Sequence, residues 1–137
     1  MPFLSGLTRW RGKTALITGA SSGIGVTIAE ALADAGLNLV LAARRVDRLE
    51  ALKDKLTAQG VQVWPMACDL RDEAQILALF QRIKSEVGGL DVLVNNAGLG
   101  RRQQLRDGET QSWRDILEVN VLGLSICTRE ALPLLDG

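Results

Sequence analysis

Four short apolar runs alternate with stretches of helical periodicity along the chain, and few architectures accommodate this order. The runs predict buried strands over residues 14–18, 37–43, 61–66 and 90–94. The stretches predict helices over residues 24–35, 46–59 and 71–87, and a long helix that runs from Thr110 toward Leu135. Strands that alternate with helices form parallel sheets, so the pattern favours an α/β fold.

Right-handed crossovers restrict the order in which such strands pair. They predict a parallel sheet with strand order 3-2-1-4 and flanking helices, which is the first half of a doubly wound Rossmann sheet. Pro65 indicates the end of an edge strand, because proline cannot donate to the hydrogen bonds of a central strand. Since no repeat or linker divides the chain, residues 1–137 are predicted to form one domain.

Several residues mark where the predicted helices begin and end. Gly36 and Gly60 follow the first two helices, in the position where a left-handed residue commonly ends a helix. Asp69 or Asp72 is expected near the start of the third helix, and Thr110 is expected to cap the fourth. These signals give each helix a predicted boundary.

The composition excludes several classes of protein. The formal net charge is zero, which disfavours nucleic acid and anionic membranes as partners. Cys68 and Cys127 lie too far apart for a metal-ligand or redox spacing, so we expect plain thiols and no metal site. No apolar run approaches the ~18 residues of a membrane span, and residues 1–7 are too few for a signal peptide. A soluble, cytoplasmic protein is therefore expected.

A glycine-rich turn, residues 18–25, separates the first predicted strand from the first helix. Its glycines follow a G-x-x-x-G-x-G spacing at Gly19, Gly23 and Gly25. Small residues let the backbone approach a pyrophosphate, and the N-terminus of the following helix directs unsatisfied N–H groups at it. The alternative is a tight connection without a ligand, but the position of the turn inside a βαβ unit favours phosphate binding.

The end of the second predicted strand indicates which dinucleotide such a turn would bind. An acidic residue at this position accepts hydrogen bonds from the ribose hydroxyls of NAD and repels the 2′-phosphate of NADP. Here Ala43 is followed by Arg44 and Arg45, whose guanidinium groups suit a 2′-phosphate. The alternative is a pair of solvated charges at the start of a helix. The lack of an acidic residue favours NADP, and it disfavours a Rossmann-like methyltransferase, which would bind an unphosphorylated ribose.

Several motifs, in order along the chain, resemble those of the short-chain dehydrogenase/reductase family. Residues 18–25 resemble its cofactor motif, and residues 95–98 (Asn-Asn-Ala-Gly) resemble its second signature. Asp69, followed by Leu70, is similar to the acidic residue of the family that contacts adenine. Asn120 looks like the asparagine of the family's catalytic tetrad.

The resemblance implies roles for individual residues. Asn95 and Asn96 would hold the sheet together beside the nicotinamide ribose, and Asn120 would bind a water that links the catalytic lysine to solvent. The residues themselves leave other roles open: an Asx turn for the amide pair, local backbone bonding for Asn120 and a helix cap for Asp69. The predicted cofactor-binding residues are Gly19, Ser21, Ser22, Gly23, Ile24, Gly25, Arg44, Arg45, Asp69, Leu70, Asn96, Ala97 and Gly98.

The resemblance also implies a substrate class. Residues 9–11 and 124–131 are similar to those of a cytosolic group within the family that is related to farnesol dehydrogenases. This similarity implies an NADP(H)-dependent oxidoreductase that acts on the CH–OH group of hydrophobic alcohols or ketones, of steroid or isoprenoid type.

The family's chemistry further requires a serine, a tyrosine and a lysine four residues after that tyrosine. The chain contains no tyrosine and no histidine, and only Asn120 resembles a member of the tetrad. We therefore expect a truncated, cofactor-binding half that is inactive by itself, with homo-oligomers only in a full-length form. The alternative is a non-catalytic NADPH-binding or interaction fragment.

Overall fold

A four-stranded parallel sheet with the order β3-β2-β1-β4 forms the centre of the structure, a computed structural model that describes residues 6, 8–21, 23–100 and 104–136. The strands are β1 (Thr14–Thr18), β2 (Asn38–Ala43), β3 (Val63–Ala67) and β4 (Val92–Val94). This order confirms the prediction of a Rossmann-type sheet with order 3-2-1-4. Pro65 lies in the middle of the edge strand β3, opposite Leu41, and not at its end as predicted.

Strand β2 begins one residue later than predicted, and β3 and β4 each begin two residues later. At the starts of β3 and β4, side chains replace backbone partners. The Gln62 N–H donates to the Asn38 side-chain oxygen at 2.9 Å, and the β3 ladder begins at the next residue, Val63. At β4, the Thr14 N–H donates to the Asp91 carboxylate at 2.9 Å. In both places a polar side chain satisfies a backbone group that would otherwise extend the sheet.

Three helices connect the strands: α1 (Gly23–Asp34), α2 (Val46–Thr57) and α3 (Glu73–Arg82). The third begins two residues later than predicted because Asp72 is its N-cap, with its carboxylate accepting from the Ala74 N–H at 3.0 Å. Asp69 is therefore available for another role. The chain continues beyond α3 through a π-helical turn, Ile83–Val87, before Gly88 ends it with a φ of 96°.

The last helical stretch is not uniform. It consists of α4 (Thr110–Leu117), a π-helical segment (Glu118–Gly123) and α5 (Leu124–Leu135). The N-cap position is occupied by Glu109, and Thr110 is the first helical residue, so the predicted cap is wrong by one residue. The predicted long helix is otherwise present, with a wider turn in the middle that its periodicity does not indicate.

Both faces of the sheet are covered, which places core on each side. On one face, α1 and α2 pack over Ile17, Leu39 and Leu41. On the other face, α3 and α5 pack over Leu16 and Val40. Because neighbouring residues of a strand point to opposite faces, the central strands are apolar on both faces, over residues 15–17 of β1 and 39–43 of β2. Within the part of the chain described here, no helix combines the length and apolar character that a membrane crossing requires.

Candidate functional site

A cavity of about 400 Å³ opens at the carboxyl ends of the strands. It lies where the sheet order reverses between β1 and β4, so that the following segments leave toward opposite faces. Ligands of open α/β sheets bind in this crevice. The predicted site residues that line it are Gly19, Ser21, Ile24, Arg44, Asp69, Leu70, Asn96, Ala97 and Gly98.

Four other predicted positions stand outside that lining. Gly23 and Gly25 belong to the first turn of α1, Arg45 is the N-cap residue of α2, and Asn120 lies in the π-helical segment. Ser22 lies outside the described residues. The structure thus brings together the ends of all four strands, as the motifs predict, while these four residues do not line the cavity.

The Thr18 hydroxyl joins the ends of β1 and β4. It accepts the N–H groups of Asn96 and Ala97, each at 3.1 Å, and it donates to the Val94 carbonyl at 3.4 Å. Thr18 is buried, so these bonds satisfy a hydroxyl that has no access to water. Thr18 is not among the predicted site residues, although it begins the glycine-rich motif.

The glycine-rich turn packs directly against the segment after β4. Gly19 has a φ of 66°, and a Cβ added there would lie 2.7 Å from the Ala97 Cα. The Asn96 side chain donates to the Gly19 carbonyl at 3.1 Å. A Cβ on Gly25 would meet this same Asn96 amide at 2.7 Å. Only glycine permits this approach at Gly19 and Gly25, so the turn and the Asn96 loop form one cradle.

Asn120 holds the far end of that loop through its side-chain amide. Its Oδ1 accepts the Leu99 N–H at 2.8 Å, and its Nδ2 donates to the Leu99 carbonyl at 2.9 Å. Asn95 turns away from the cavity and donates to the Thr128 hydroxyl of α5 at 3.0 Å. The two amides therefore fasten the segment after β4 to the last helical stretch.

The π-helical segment also contacts the segment after β3. A Cβ added to Gly123 would lie 2.6 Å from the Leu70 carbonyl, so glycine is required for this close approach. Asn120 and Gly123, three residues apart, thus reach two different walls of the cavity. Wider π-helical turns occur frequently at functional sites, and here the turn serves to position two loops.

Charged groups are concentrated at the ends of β2 and β3. Arg44 is exposed and lines the cavity, while Arg45 is exposed beside it. The side-chain hydrogen bond from Arg71 lowers the pKa of the Asp69 carboxyl more than any other effect, and the charge of Arg44 lowers it further. Arg71 also lines the cavity, although it is not among the predicted site residues. The one sequence signal for it is its position two residues after Asp69, close enough for the two charged side chains to pair.

The two cysteines are buried and unpaired. Burial raises the pKa of the Cys68 thiol to about 12 and that of the Cys127 thiol to about 11. Cys68 borders the cavity, yet its raised pKa keeps the thiol protonated at neutral pH, so little of the reactive thiolate is present. In the described part of the chain, no three His, Cys, Asp or Glu side chains are placed to hold a metal ion.

We expect both thiols of the folded chain to resist a thiol-specific disulfide reagent at pH 8. The physical reason is that protonation and burial both prevent attack. Release of the reagent's chromophore, followed by absorbance, measures the reaction. The same chain in denaturant should react fully at both cysteines within the mixing time. Rapid reaction of one thiol in the native chain would show that Cys68 or Cys127 is accessible as a thiolate, contrary to this prediction.

Comparison with known proteins identifies the family. A family profile described as short chain dehydrogenase matches residues 13–137. Human dehydrogenase/reductase SDR family member 11 is 47% identical over 128 residues, which cover 92% of this chain and 49% of the relative. Farnesol dehydrogenase of Aedes aegypti is 43% identical over 127 residues, which cover 91% of this chain and 52% of the relative. The chain spans about half the length of the curated relatives it matches.

Solved structures agree with the sequence comparison. An alcohol dehydrogenase from the archaeon Thermococcus sibiricus, complexed with 5-hydroxy-NADP, superposes with a TM-score of 0.89 at 38% identity, covering 92% of this chain and 54% of that one. L-sorbose reductase from Gluconobacter frateurii, complexed with NADPH and L-sorbose, gives a TM-score of 0.87 at 37% identity, covering 91% and 48%. The resemblance seen in the motifs is confirmed: this chain belongs to the short-chain dehydrogenase family.

Proposed function

We propose that this chain binds NADP(H) for an oxidoreductase that acts on the CH–OH group of hydrophobic alcohols, or on the corresponding ketones, of steroid or isoprenoid type. The observation that carries the proposal is Arg44, a cation that lines the cavity at the end of β2, where an NAD-binding chain would have a carboxylate. Support for the substrate class comes from the relative named farnesol dehydrogenase. NADP(H), when bound, supplies or accepts the hydride.

The residues present fit such a dinucleotide along the whole cavity. Gly23 is the first residue of α1, and the place of its missing Cβ is open, so the backbone leaves room for a pyrophosphate beside the N-terminus of α1. In this proposal Ser21 and Ile24 contact the phosphates or the adjoining ribose from the same turn. The cavity continues in one direction to Arg44 and Asp69 and in the other to Asn96, Ala97 and Gly98.

Arg44 decides between the two cofactors in this proposal. A guanidinium group donates charge-assisted hydrogen bonds to a phosphate, each of which contributes about 1.5–3 kcal/mol. The carboxylate of Asp69 lies near Arg44 but is engaged by Arg71, so Arg44 is not neutralised by a short ion pair with it. Arg45, at the N-cap of α2, adds a second positive charge close to the same position.

Asn120 is proposed to act at the nicotinamide end. Because its amide holds both polar groups of the Leu99 backbone, it fixes the loop that follows residues 95–98. Each amide atom retains one further hydrogen-bonding position, so a water could bind there as the family resemblance implies. Asn120 would then both shape the cavity and order a water within it.

The proposal predicts that NADPH binds at least tenfold more tightly than NADH. The reason is the 2′-phosphate, which only NADPH presents to Arg44. Fluorescence titration of each reduced cofactor with the 137-residue chain measures both dissociation constants, and circular dichroism checks that the chain is folded. Equal affinities would refute the cofactor assignment.

A second candidate function is cofactor binding without catalysis. It is favoured by the lack of any tyrosine or histidine, because no such group is available to exchange a proton near neutral pH. We expect the 137-residue chain to show no turnover under either candidate, so the test uses a full-length form that carries the family's tyrosine and lysine. Substrate-dependent oxidation of NADPH by that form, with hydrophobic ketones or aldehydes, supports the oxidoreductase, whereas tight binding with no turnover supports the binding fragment.

A further inference from the structure

Arg71 and Asp69 form a fixed pair at one wall of the cavity. The Arg71 backbone N–H donates to Asp69 Oδ1 at 3.0 Å, its Nε donates to the same oxygen at 3.1 Å, and its Nη2 donates to Oδ2 at 2.8 Å. Two side-chain donors on two carboxylate oxygens give a bidentate geometry, which restricts both position and orientation.

Additional contacts hold this pair in place. The Asp69 backbone N–H donates to the Gln75 side-chain oxygen at 2.9 Å, and the Gln75 amide donates to Asp72 at 3.3 Å. The remaining guanidinium nitrogen of Arg71, Nη1, lies 3.8 Å from the carboxylate of Asp115 on α4. The pair is therefore anchored to the start of α3 on one side and to α4 on the other.

This arrangement leaves Asp69 with a defined hydrogen-bonding capacity. Oδ1 already accepts two donors, and Oδ2 accepts one. An ionised carboxylate is an acceptor only, with about two lone-pair positions on each oxygen. Because Arg71 lowers the pKa of Asp69, the group stays ionised at neutral and mildly acidic pH. One acceptor position, on Oδ2, thus remains for a ligand.

We infer that Arg71 is a positioning residue that sets base specificity, by holding Asp69 as a single oriented acceptor for the exocyclic amino group of adenine. The inference rests on the proposed function, in which the adenosine end of NADPH lies near Arg44 and Asp69. A base with a carbonyl oxygen in place of the amino group would present a second acceptor to the carboxylate and would be rejected. Arg71 therefore acts through Asp69 and not by its own contact with the base.

The experiment compares NADPH with its deamino analogue, in which hypoxanthine replaces adenine. The readout is the ratio of the two dissociation constants. Loss of the Arg71 charge weakens the binding of both cofactors equally, so this effect cancels in the ratio. For the wild-type chain we expect at least a tenfold preference for NADPH, the effect of one hydrogen bond to a charged acceptor. In Arg71→Leu the preference should fall below threefold, and in Arg71→Lys it should be intermediate.

Arg82→Leu is the matched control. Arg82, at the end of α3, forms a similar bidentate pair with Glu86, at 3.0 and 3.1 Å; both side chains are exposed and neither lines the cavity. This variant should keep the wild-type ratio. A wild-type ratio in both Arg71→Leu and Arg71→Lys would overturn the inference and leave the proposed function standing. If the wild-type chain binds neither cofactor, both the proposed function and the inference fail. Arg71→Lys decides the question if Arg71→Leu does not fold.

Discussion

Replacing Arg44 with aspartate is expected to weaken NADPH binding by about a hundredfold or more and to make NADH the preferred cofactor. Two effects act in the same direction. The variant loses charge-assisted hydrogen bonds worth about 1.5–3 kcal/mol each, and it places a carboxylate where a 2′-phosphate would otherwise lie. The same carboxylate can accept hydrogen bonds from the free ribose hydroxyls of NADH. The preference should therefore invert, and not merely disappear.

Fluorescence titration with each cofactor, at two salt concentrations, measures this change. Arg48→Asp is the matched control, because Arg48 is an exposed residue of α2 that does not line the cavity and its replacement changes the net charge equally. The control should retain the preference for NADPH. A preference that survives in Arg44→Asp would mean that Arg44 is only a solvated charge, as the alternative interpretation of the sequence holds.

Replacing Gly19 with alanine should lower the free energy of unfolding by about 2–6 kcal/mol and abolish cofactor binding. The left-handed backbone, with a φ of 66°, costs about 1–3 kcal/mol for a residue with a Cβ. The added Cβ would also lie 2.7 Å from the Ala97 Cα, and relief of such a contact typically costs a further 1–3 kcal/mol. The backbone must shift at the point where the pyrophosphate is proposed to bind.

Urea unfolding followed by circular dichroism measures the stability of this variant. Gly60→Ala is a matched control, since Gly60 has a φ of 90° but an added Cβ would meet nothing within 4 Å. Both variants carry the cost of a left-handed backbone, so the difference between their free energies of unfolding gives the cost of the contact with Ala97 alone. Equal destabilisation of the two would show that the close approach is not tight in solution.

The parts of the fold that the sequence predicts correctly are those determined by short stretches of consecutive residues. The strands β1 and β2 are continuous apolar runs, and their parallel order follows from the helices between them. The predicted starts of β3 and β4 are too early, because the true starts depend on hydrogen bonds that link the side chains of Asn38 and Asp91 to neighbouring strands. Such contacts join residues that are 24 and 77 positions apart, so no local pattern contains them.

In the candidate site, too, local motifs were predictable and contacts between residues distant in sequence were not. The glycine turn, Arg44 and residues 96–98 follow directly after strands, and this position places them at the cavity. Thr18 was missed because its role depends on the backbone of Asn96 and Ala97, which only the folded sheet brings to it. Arg71 was missed because an arginine at the start of a helix resembles any surface charge until its geometry with Asp69 is seen.

The π-helical segment alters the phase of everything that follows it. In a regular α-helix each residue advances the side-chain direction by roughly 100°, and a π-helical turn accommodates an extra residue at that point. An apolar face defined over Thr110–Leu117 therefore does not continue onto the same side over Leu124–Leu135. Within the segment Glu118–Gly123, Asn120 must reach the Leu99 backbone and Gly123 must lie against the Leu70 carbonyl. These two contacts, and not the periodicity of the helix, therefore constrain how many residues the segment can contain.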